Sequence, residues 1–179
     1  MVDPITSRRW FYRLLFLVIS AMVVFFELLP LDLTAGRWPG PDVVVAFTFA
    51  WVLRRPDFIP VALVAVVFLT MDMLFLRPPG LWAGLVVMGS EFLRSREPNS
   101  RDLPFLVEWV MVSGVLIAMT LAARLILLIF VVTQPSFGLI TLQLAVTILC
   151  YPIAVAISRM IFGIRKIAPG EVDQLGHPL

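Results

Sequence analysis

The chain has 179 residues, of which 60% are hydrophobic and 15% are charged, and its mean hydropathy is +0.99. Soluble domains contain about 45–50% apolar and about 25% charged residues, so this composition indicates an integral membrane protein. At roughly 20 residues per crossing, the chain holds about six crossings and leaves nothing for a folded soluble domain. A net charge of +2 argues against nucleic acid as a partner.

Apolar runs define six predicted spans in one all-α membrane domain, residues 1–166. The spans are residues 10–29, 42–53, 59–76, 81–93, 103–132 and 137–164. The first run is longer than the roughly 7–15 apolar residues of a signal-peptide core, so we expect an uncleaved helix. The second and fourth are short for a crossing, and such segments either re-enter or thin the bilayer. Residues 167–179 are polar and predict a flexible cytoplasmic tail.

The distribution of basic residues favours six crossings over a hairpin that fails to cross. The polar stretch from Arg94 to Asp102 is predicted to be a loop. On one predicted side lie eleven basic residues, namely Arg8, Arg9, Arg13, Arg54, Arg55, Arg94, Arg96, Arg101, Arg159, Arg165 and Lys166. The other side holds only Arg37 and Arg77. The positive-inside rule then places both termini in the cytoplasm.

Three charged residues lie at predicted membrane depth near the outer face: Asp72, Glu27 and Arg124. An unpaired charge there costs at least about 2.5–3.5 kcal/mol, so we expect Arg124 to pair with Asp72 or Glu27. Such a pair would either fix the packing of the third and fifth spans or receive a partner or ligand from outside. The third alternative is that both acids reach interfacial water. Glu108 lies near an inner span end, where a long side chain can reach water, and needs no functional role.

Small residues recur at four-residue intervals in the fifth span, at Gly114, Ala118 and Ala122. Such a stripe lets another helix approach closely, and an internal packing seam is favoured over an intermolecular one. The tryptophans, including Trp51 and Trp82, fall near predicted membrane borders, which is typical of interfacial anchors.

Residue types needed for most catalysis are missing from the predicted spans. The single histidine, His177, lies in the polar tail, and the single cysteine, Cys150, lies in an apolar run. No zinc, nucleotide or dinucleotide motif occurs, and the paired acids of an intramembrane aspartyl protease are not present. We therefore expect no enzyme activity, no metal and no cofactor.

One region of the chain resembles a known family, the rod shape-determining proteins MreD. Its residues are Pro41 and Asp42 opening a short helix, Trp51 at the end of that helix, Pro56 in the basic turn, Asp72, and the break Arg77, Pro78 and Gly80. The likeness covers most of the chain in length and layout. The resemblance implies a non-enzymatic inner-membrane scaffold of the bacterial cell-elongation complex. It would bind MreC directly and would act with MreB, a peptidoglycan polymerase and a penicillin-binding transpeptidase.

The MreD family is also similar in fold to the substrate-binding subunits of energy-coupling-factor transporters. This similarity implies an alternative, a subunit that binds a vitamin-like small molecule. A ligand cavity needs several convergent polar groups, and the predicted outer loops offer few of them.

Overall fold

The computed structural model of the protein describes residues 4–29, 40–100, 104–132, 134 and 136–164. In these residues the chain forms six α-helices and one 3₁₀ turn, and no strand. The helices are α1 (Pro4–Leu28), α2 (Val43–Val52), α3 (Val61–Leu74), α4 (Leu81–Ser100), α5 (Phe105–Ile129) and α6 (Phe137–Met160), with the 3₁₀ turn at Pro56–Phe58. The prediction of an all-helical protein is confirmed.

The shortest helix, α2, forms the core of the bundle. Every residue from Val44 to Val52 is buried, and α2 packs against α1, α4 and α6. A helix that is apolar on all sides is stable only when other elements surround it. The ten residues of α2 therefore fix where the other helices lie.

Helices α2 and α6 run parallel, held by one hydrogen bond near each end of α2. The Asp42 backbone N–H donates to Thr147 Oγ1 at 3.0 Å. The Trp51 indole N–H donates to Ser158 Oγ at 2.9 Å. The bundle thus has two ends: the Asp72 end, where α2 begins and α3 finishes, and the Arg54 end, where α2 finishes and α3 begins.

Three helices of the described chain are long and apolar enough to cross a membrane: Thr6–Leu28 of α1, α5 and α6. In the most apolar 18-residue stretch of each of these helices, only 17–22% of the residues are buried inside the protein. Large apolar side chains such as Phe11, Phe25 and Leu128 instead point outward. An exposed apolar surface of this extent indicates association with a membrane.

The fourth helix is longer than its apolar run predicts. The stretch from Arg94 was predicted to be a loop, and this is wrong up to Ser100, where α4 ends. Arg94 fixes this part of α4 because its guanidinium donates to the carbonyls of Pro56 and Ile59, at 3.3 and 2.6 Å, and pairs with Glu91 at 2.9 Å. With 20 residues α4 is not short, and the short helices are α2 and α3, with 10 and 14 residues.

Tryptophan positions depart from the predicted interfacial belt at Trp51. Its ring is fully buried at the Arg54 end, against Tyr12, Phe16 and Phe162. Aromatic neighbours on α1 and just after α6, together with a hydroxyl partner for the indole N–H, stabilise it there. The predicted tail, residues 167–179, and most of the first predicted outer loop lie outside the described residues.

Candidate functional site

Asp72 is fully buried and holds the connection from α3 to α4. Its Oδ2 accepts hydrogen bonds from the backbone N–H groups of Gly80 and Ala83, both at 3.1 Å. A carboxylate at a helix start satisfies N–H groups that have no partner within the helix and interacts favourably with the helix dipole. Gly80 has a φ of +85°, a conformation that glycine adopts without the strain of a side chain. Asp72 thus holds this turn through one of its two carboxylate oxygens.

Asp42 performs a similar task at the start of α2. Its Oδ1 accepts from the Val45 N–H at 3.2 Å, and its Oδ2 accepts from the Trp82 indole N–H at 3.1 Å. Trp82 belongs to the first turn of α4, so this bond joins the starts of α2 and α4. The Arg77 guanidinium and the Asp72 carboxylate both lie within electrostatic range of Asp42.

The residues that carry the family resemblance thus divide between the two ends of the bundle. Asp42, Asp72, Arg77, Pro78 and Gly80 meet at the Asp72 end, and Pro41 precedes them. Trp51 and Pro56 lie at the Arg54 end, where Pro56 begins the 3₁₀ turn. Most of the motif is one connected structural unit, since its acids bond the helix starts that follow them.

Arg124 forms an ion pair with neither Asp72 nor Glu27, and the predicted pairing is absent from the described chain. Its guanidinium lies over the Phe137 ring, 5.0 Å from the ring centroid. Its Nη1 is buried and has no hydrogen-bond partner among the described residues. One oxygen of the expected partner carboxylate, Asp72 Oδ2, instead accepts from backbone N–H groups, and Asp72 Oδ1 is buried without a hydrogen-bond partner among the described residues.

A cavity of about 720 Å³ opens at the Asp72 end between the start of α2, the α3–α4 turn, α5 and α6. Its walls are mainly apolar, with Leu76, Trp82, Leu116 and Leu144 among them. Polar side chains also converge on it, namely Asp42, Arg77, Thr120, Arg124, Gln134, Gln143 and Thr147. This combination of apolar walls and a few convergent polar groups is typical of a small-molecule site. The sequence had placed Arg124 near the outer face but had not indicated a cavity.

The chain matches no family model, no curated protein and no solved structure.

A second concave surface, which we term the α4–α5 groove, contains the predicted small-residue stripe. The groove has a volume of about 500 Å³, and its lining residues are Leu85, Met88, Gly89, Phe92, Val110, Met111, Gly114, Val115, Ala118, Met119 and Ala122. A side chain added at Gly114 would meet nothing within 4 Å, and Ala118 is exposed. The stripe therefore lines an open groove beside α4, and no helix of the described chain packs closely on it at Gly114.

Close helix approach occurs instead at Gly89 of α4. A Cβ built there would lie 2.7 Å from Met119 Sδ, 3.0 Å from Val115 Cγ1 and 3.2 Å from Phe49. Gly89 thus lets α4, α5 and the central α2 meet, which is the role predicted for Gly114. The apolar pattern of α4 gave no sign that this glycine faced the core.

At the Arg54 end the structure contains a buried polar network that the sequence analysis missed. Arg54 Nη1 lies 2.8 Å from Glu108 Oε1 and also donates to the Ala50 carbonyl at 3.0 Å. The Tyr151 hydroxyl donates to the same Glu108 oxygen at 2.6 Å. The expectation that Glu108 reaches water is wrong, because its side chain is 1% exposed. An acid among apolar residues in the first turn of α5 was the available signal.

Among the described residues, no group of three or more histidine, cysteine, aspartate or glutamate side chains could hold a metal ion. The polar groups of both bundle ends instead bond to one another and to the backbone. Their arrangement joins helices, and the two concave surfaces are candidate sites for a partner or a ligand.

Proposed function

We propose that the protein is a non-enzymatic scaffold of the bacterial inner membrane, similar to the MreD proteins. In this proposal it binds the single membrane helix of MreC and supports lateral peptidoglycan synthesis and control of cell shape. It associates with MreB, the peptidoglycan polymerase and the penicillin-binding transpeptidase indirectly, as members of the same complex. The support for the family is the sequence resemblance between Pro41 and Gly80, most of whose residues lie in one connected unit.

The observation that carries the proposal is the open α4–α5 groove. Helices associate in membranes where small residues let their backbones come close, because lipid provides no hydrophobic driving force between them. Gly114 and Ala118 supply such a surface, and no helix of the described bundle covers it. Met88 and Phe92 on α4 provide a flexible apolar wall opposite the stripe. A single apolar helix of a partner is the occupant that fits this shape and composition.

The order of the helices supports the six-crossing topology. The starts of α2, α4 and α6 lie at the Asp72 end, as alternating crossings require. The Arg54 end carries Arg54, Arg55 and Arg94, and Arg9 lies there beside Asp57. Under the positive-inside rule this end faces the cytoplasm. The amino and carboxyl termini would then both be cytoplasmic.

We also propose the fold similarity to the substrate-binding subunits of energy-coupling-factor transporters. It is supported by the compact bundle in which α2 and α3, with 10 and 14 residues, lie among longer helices. The lipid bilayer would cover the outward apolar faces of α1, α5 and α6 and makes lipid a further partner.

A second candidate function is a subunit that binds a vitamin-like small molecule. The 720 Å³ cavity favours it, since Thr120, Gln143 and Thr147 add hydrogen-bonding groups to the apolar walls. The sequence alone had indicated too few such groups.

Affinity purification of the tagged protein from its native host in a mild detergent separates the two functions. Mass spectrometry would identify both the co-purifying proteins and the extracted small molecules. Recovery of a bitopic MreC-like protein together with wall-synthesis enzymes is the expected result. Recovery of an ATPase pair with a retained vitamin would replace the scaffold by the carrier.

A further inference from the structure

We propose that the cavity at the Asp72 end binds an anionic amphiphile, a molecule with a phosphate or carboxylate head group and an aliphatic chain. This assignment rests on the cavity alone and is independent of the scaffold function. The volume of about 720 Å³ lies within the roughly 300–1,000 Å³ range of ligand sites.

Two arginines give the cavity its preference for a negative head group. Arg77 and Arg124 line it from the α3–α4 turn and from α5, and neither forms an ion pair with a described residue. Asp42 is the only acid among the cavity's described lining residues, and its oxygens already accept from Val45 and Trp82. Among the described lining residues, two guanidinium groups therefore stand against a single carboxylate.

Arg124 is the cation that most needs a partner. Its Nη1 is buried without a hydrogen-bond acceptor in the described chain, while the ring of Phe137 covers one face of the guanidinium. An anionic oxygen beside Nη1 would form a charge-assisted hydrogen bond, which is about twice as strong as a neutral one. The Gln134 side-chain amide donates to the Arg124 backbone carbonyl at 3.2 Å, and its buried Oε1 accepts no hydrogen bond from any described residue. A hydroxyl of the head group would donate to this oxygen.

The remaining walls select an aliphatic chain. Leu116, Leu127, Ile140 and Leu144 line the cavity from α5 and α6. A small hydrophilic anion would leave these side chains in contact with water. An attached chain would cover them and gain the free energy of apolar burial.

Both turns that border the cavity contain backbone strain. Leu76 and Val131 follow the ends of α3 and α5 with φ values of 53°, a left-handed conformation that is unusual for any residue with a side chain. Strain of this kind occurs where the surrounding structure imposes it, often at ligand sites. These turns hold Arg77 and Gln134 at the cavity rim.

Titration of the purified protein with dodecyl phosphate in an uncharged maltoside detergent, followed by native mass spectrometry and thermal unfolding, tests the assignment. The wild type is expected to bind one molecule and to unfold at a higher temperature, and Arg124→Gln to bind at least tenfold more weakly. Arg96→Gln is the matched control. Like Arg124, Arg96 lies over a phenylalanine ring, 5.3 Å from the centroid of Phe92, but it belongs to the part of α4 at the Arg54 end, away from the cavity. Equal affinity of the three proteins would overturn the proposal.

Two further arms define the ligand class. Ala123→Phe places a bulky ring among the residues that line the cavity without changing its charge and should also weaken binding, which covers the case in which Arg124→Gln does not fold. Inorganic phosphate or dodecanol binding as tightly as dodecyl phosphate would contradict the assignment to an anionic amphiphile.

The source of the ligand is tested by lipid analysis. A phospholipid enriched in the extract of wild-type protein relative to Arg124→Gln would identify the bilayer as the source. Binding without such enrichment would identify a soluble amphiphile of the same class.

Discussion

Glu108 Oε1 and Arg54 Nη1 lie 2.8 Å apart in the bundle core, where their side chains are 1% and 7% exposed. Both atoms also bond to other groups, Glu108 to the Tyr151 hydroxyl and Arg54 to the Ala50 carbonyl. The pair connects α5 to the residues that follow the central α2. It therefore fixes the relative position of the helices at the Arg54 end.

Glu108→Ala should destabilise the protein by about 3–5 kcal/mol, because it leaves the Arg54 charge buried without its carboxylate. Unfolding in mixed micelles with increasing denaturing detergent measures the loss. The double variant Arg54→Met with Glu108→Leu should recover most of it, since a buried pair is often replaced by apolar residues at little cost. Glu91→Ala is the control. The Glu91 side chain is 45% exposed, so its ion pair with Arg94 contributes at most about 1 kcal/mol to stability. Equal losses for both single variants would contradict the buried role of Glu108.

Asp72→Ala should loosen the start of α4 by removing the acceptor for the Gly80 and Ala83 N–H groups. Each hydrogen bond to a charged group contributes about 1.5–3 kcal/mol, so the amides of this turn should lose protection from hydrogen exchange. Hydrogen–deuterium exchange with mass spectrometry of peptides over residues 77–84 measures the effect.

Asp57→Ala provides the comparison for Asp72, because Asp57 is exposed and forms only a 3.7 Å surface pair with Arg9. It should leave exchange over residues 77–84 unchanged. Unchanged exchange in Asp72→Ala as well would mean that the carboxylate does not hold this turn.

Gly89→Ala and Gly114→Ala should have opposite effects on stability although both glycines lie within helices. The Cβ at Gly89 would meet Met119 Sδ at 2.7 Å, and such overpacking costs about 1–3 kcal/mol. The Cβ at Gly114 meets nothing, so the variant gains the better helix propensity of alanine, up to about 1 kcal/mol. Thermal stability measured by fluorescence-detected size exclusion should therefore rank Gly114→Ala above wild type and Gly89→Ala below. The reverse order would place the internal seam at Gly114.

The apolar runs of the sequence were sufficient to predict an all-helical protein with helices near their observed positions. They could not show which face of each helix is buried. In α2 every residue except Thr48 is apolar, so no periodicity distinguishes its faces, and its central position follows only from packing. The same difficulty explains the wrong prediction for the stripe at Gly114. The spacing of small residues indicated an internal packing seam, but no helix among the described residues packs against Gly114.

Charged residues were harder to predict than apolar ones. The sequence marked Asp72 and Arg124 as unusual because both charges lie at predicted membrane depth. A buried acid can accept hydrogen bonds from backbone N–H groups as well as from an arginine, and its depth does not show which of the two donors it has. Glu108 was assigned to water because it lies near a helix end. Its burial depends on Arg54 and Tyr151, which are 54 and 43 residues away in sequence.

Recovery of MreC with a groove variant tests the proposed scaffold most directly. Ala118→Trp would fill the α4–α5 groove, whereas Ala145→Trp places the same side chain at an exposed alanine of α6 outside the groove. Tagged variants expressed at equal levels in the native host would be purified in a mild detergent, and MreC would be quantified against the bait. The account predicts at least a tenfold loss of MreC with Ala118→Trp and wild-type recovery with Ala145→Trp. Wild-type recovery with both variants would contradict the groove as the partner site.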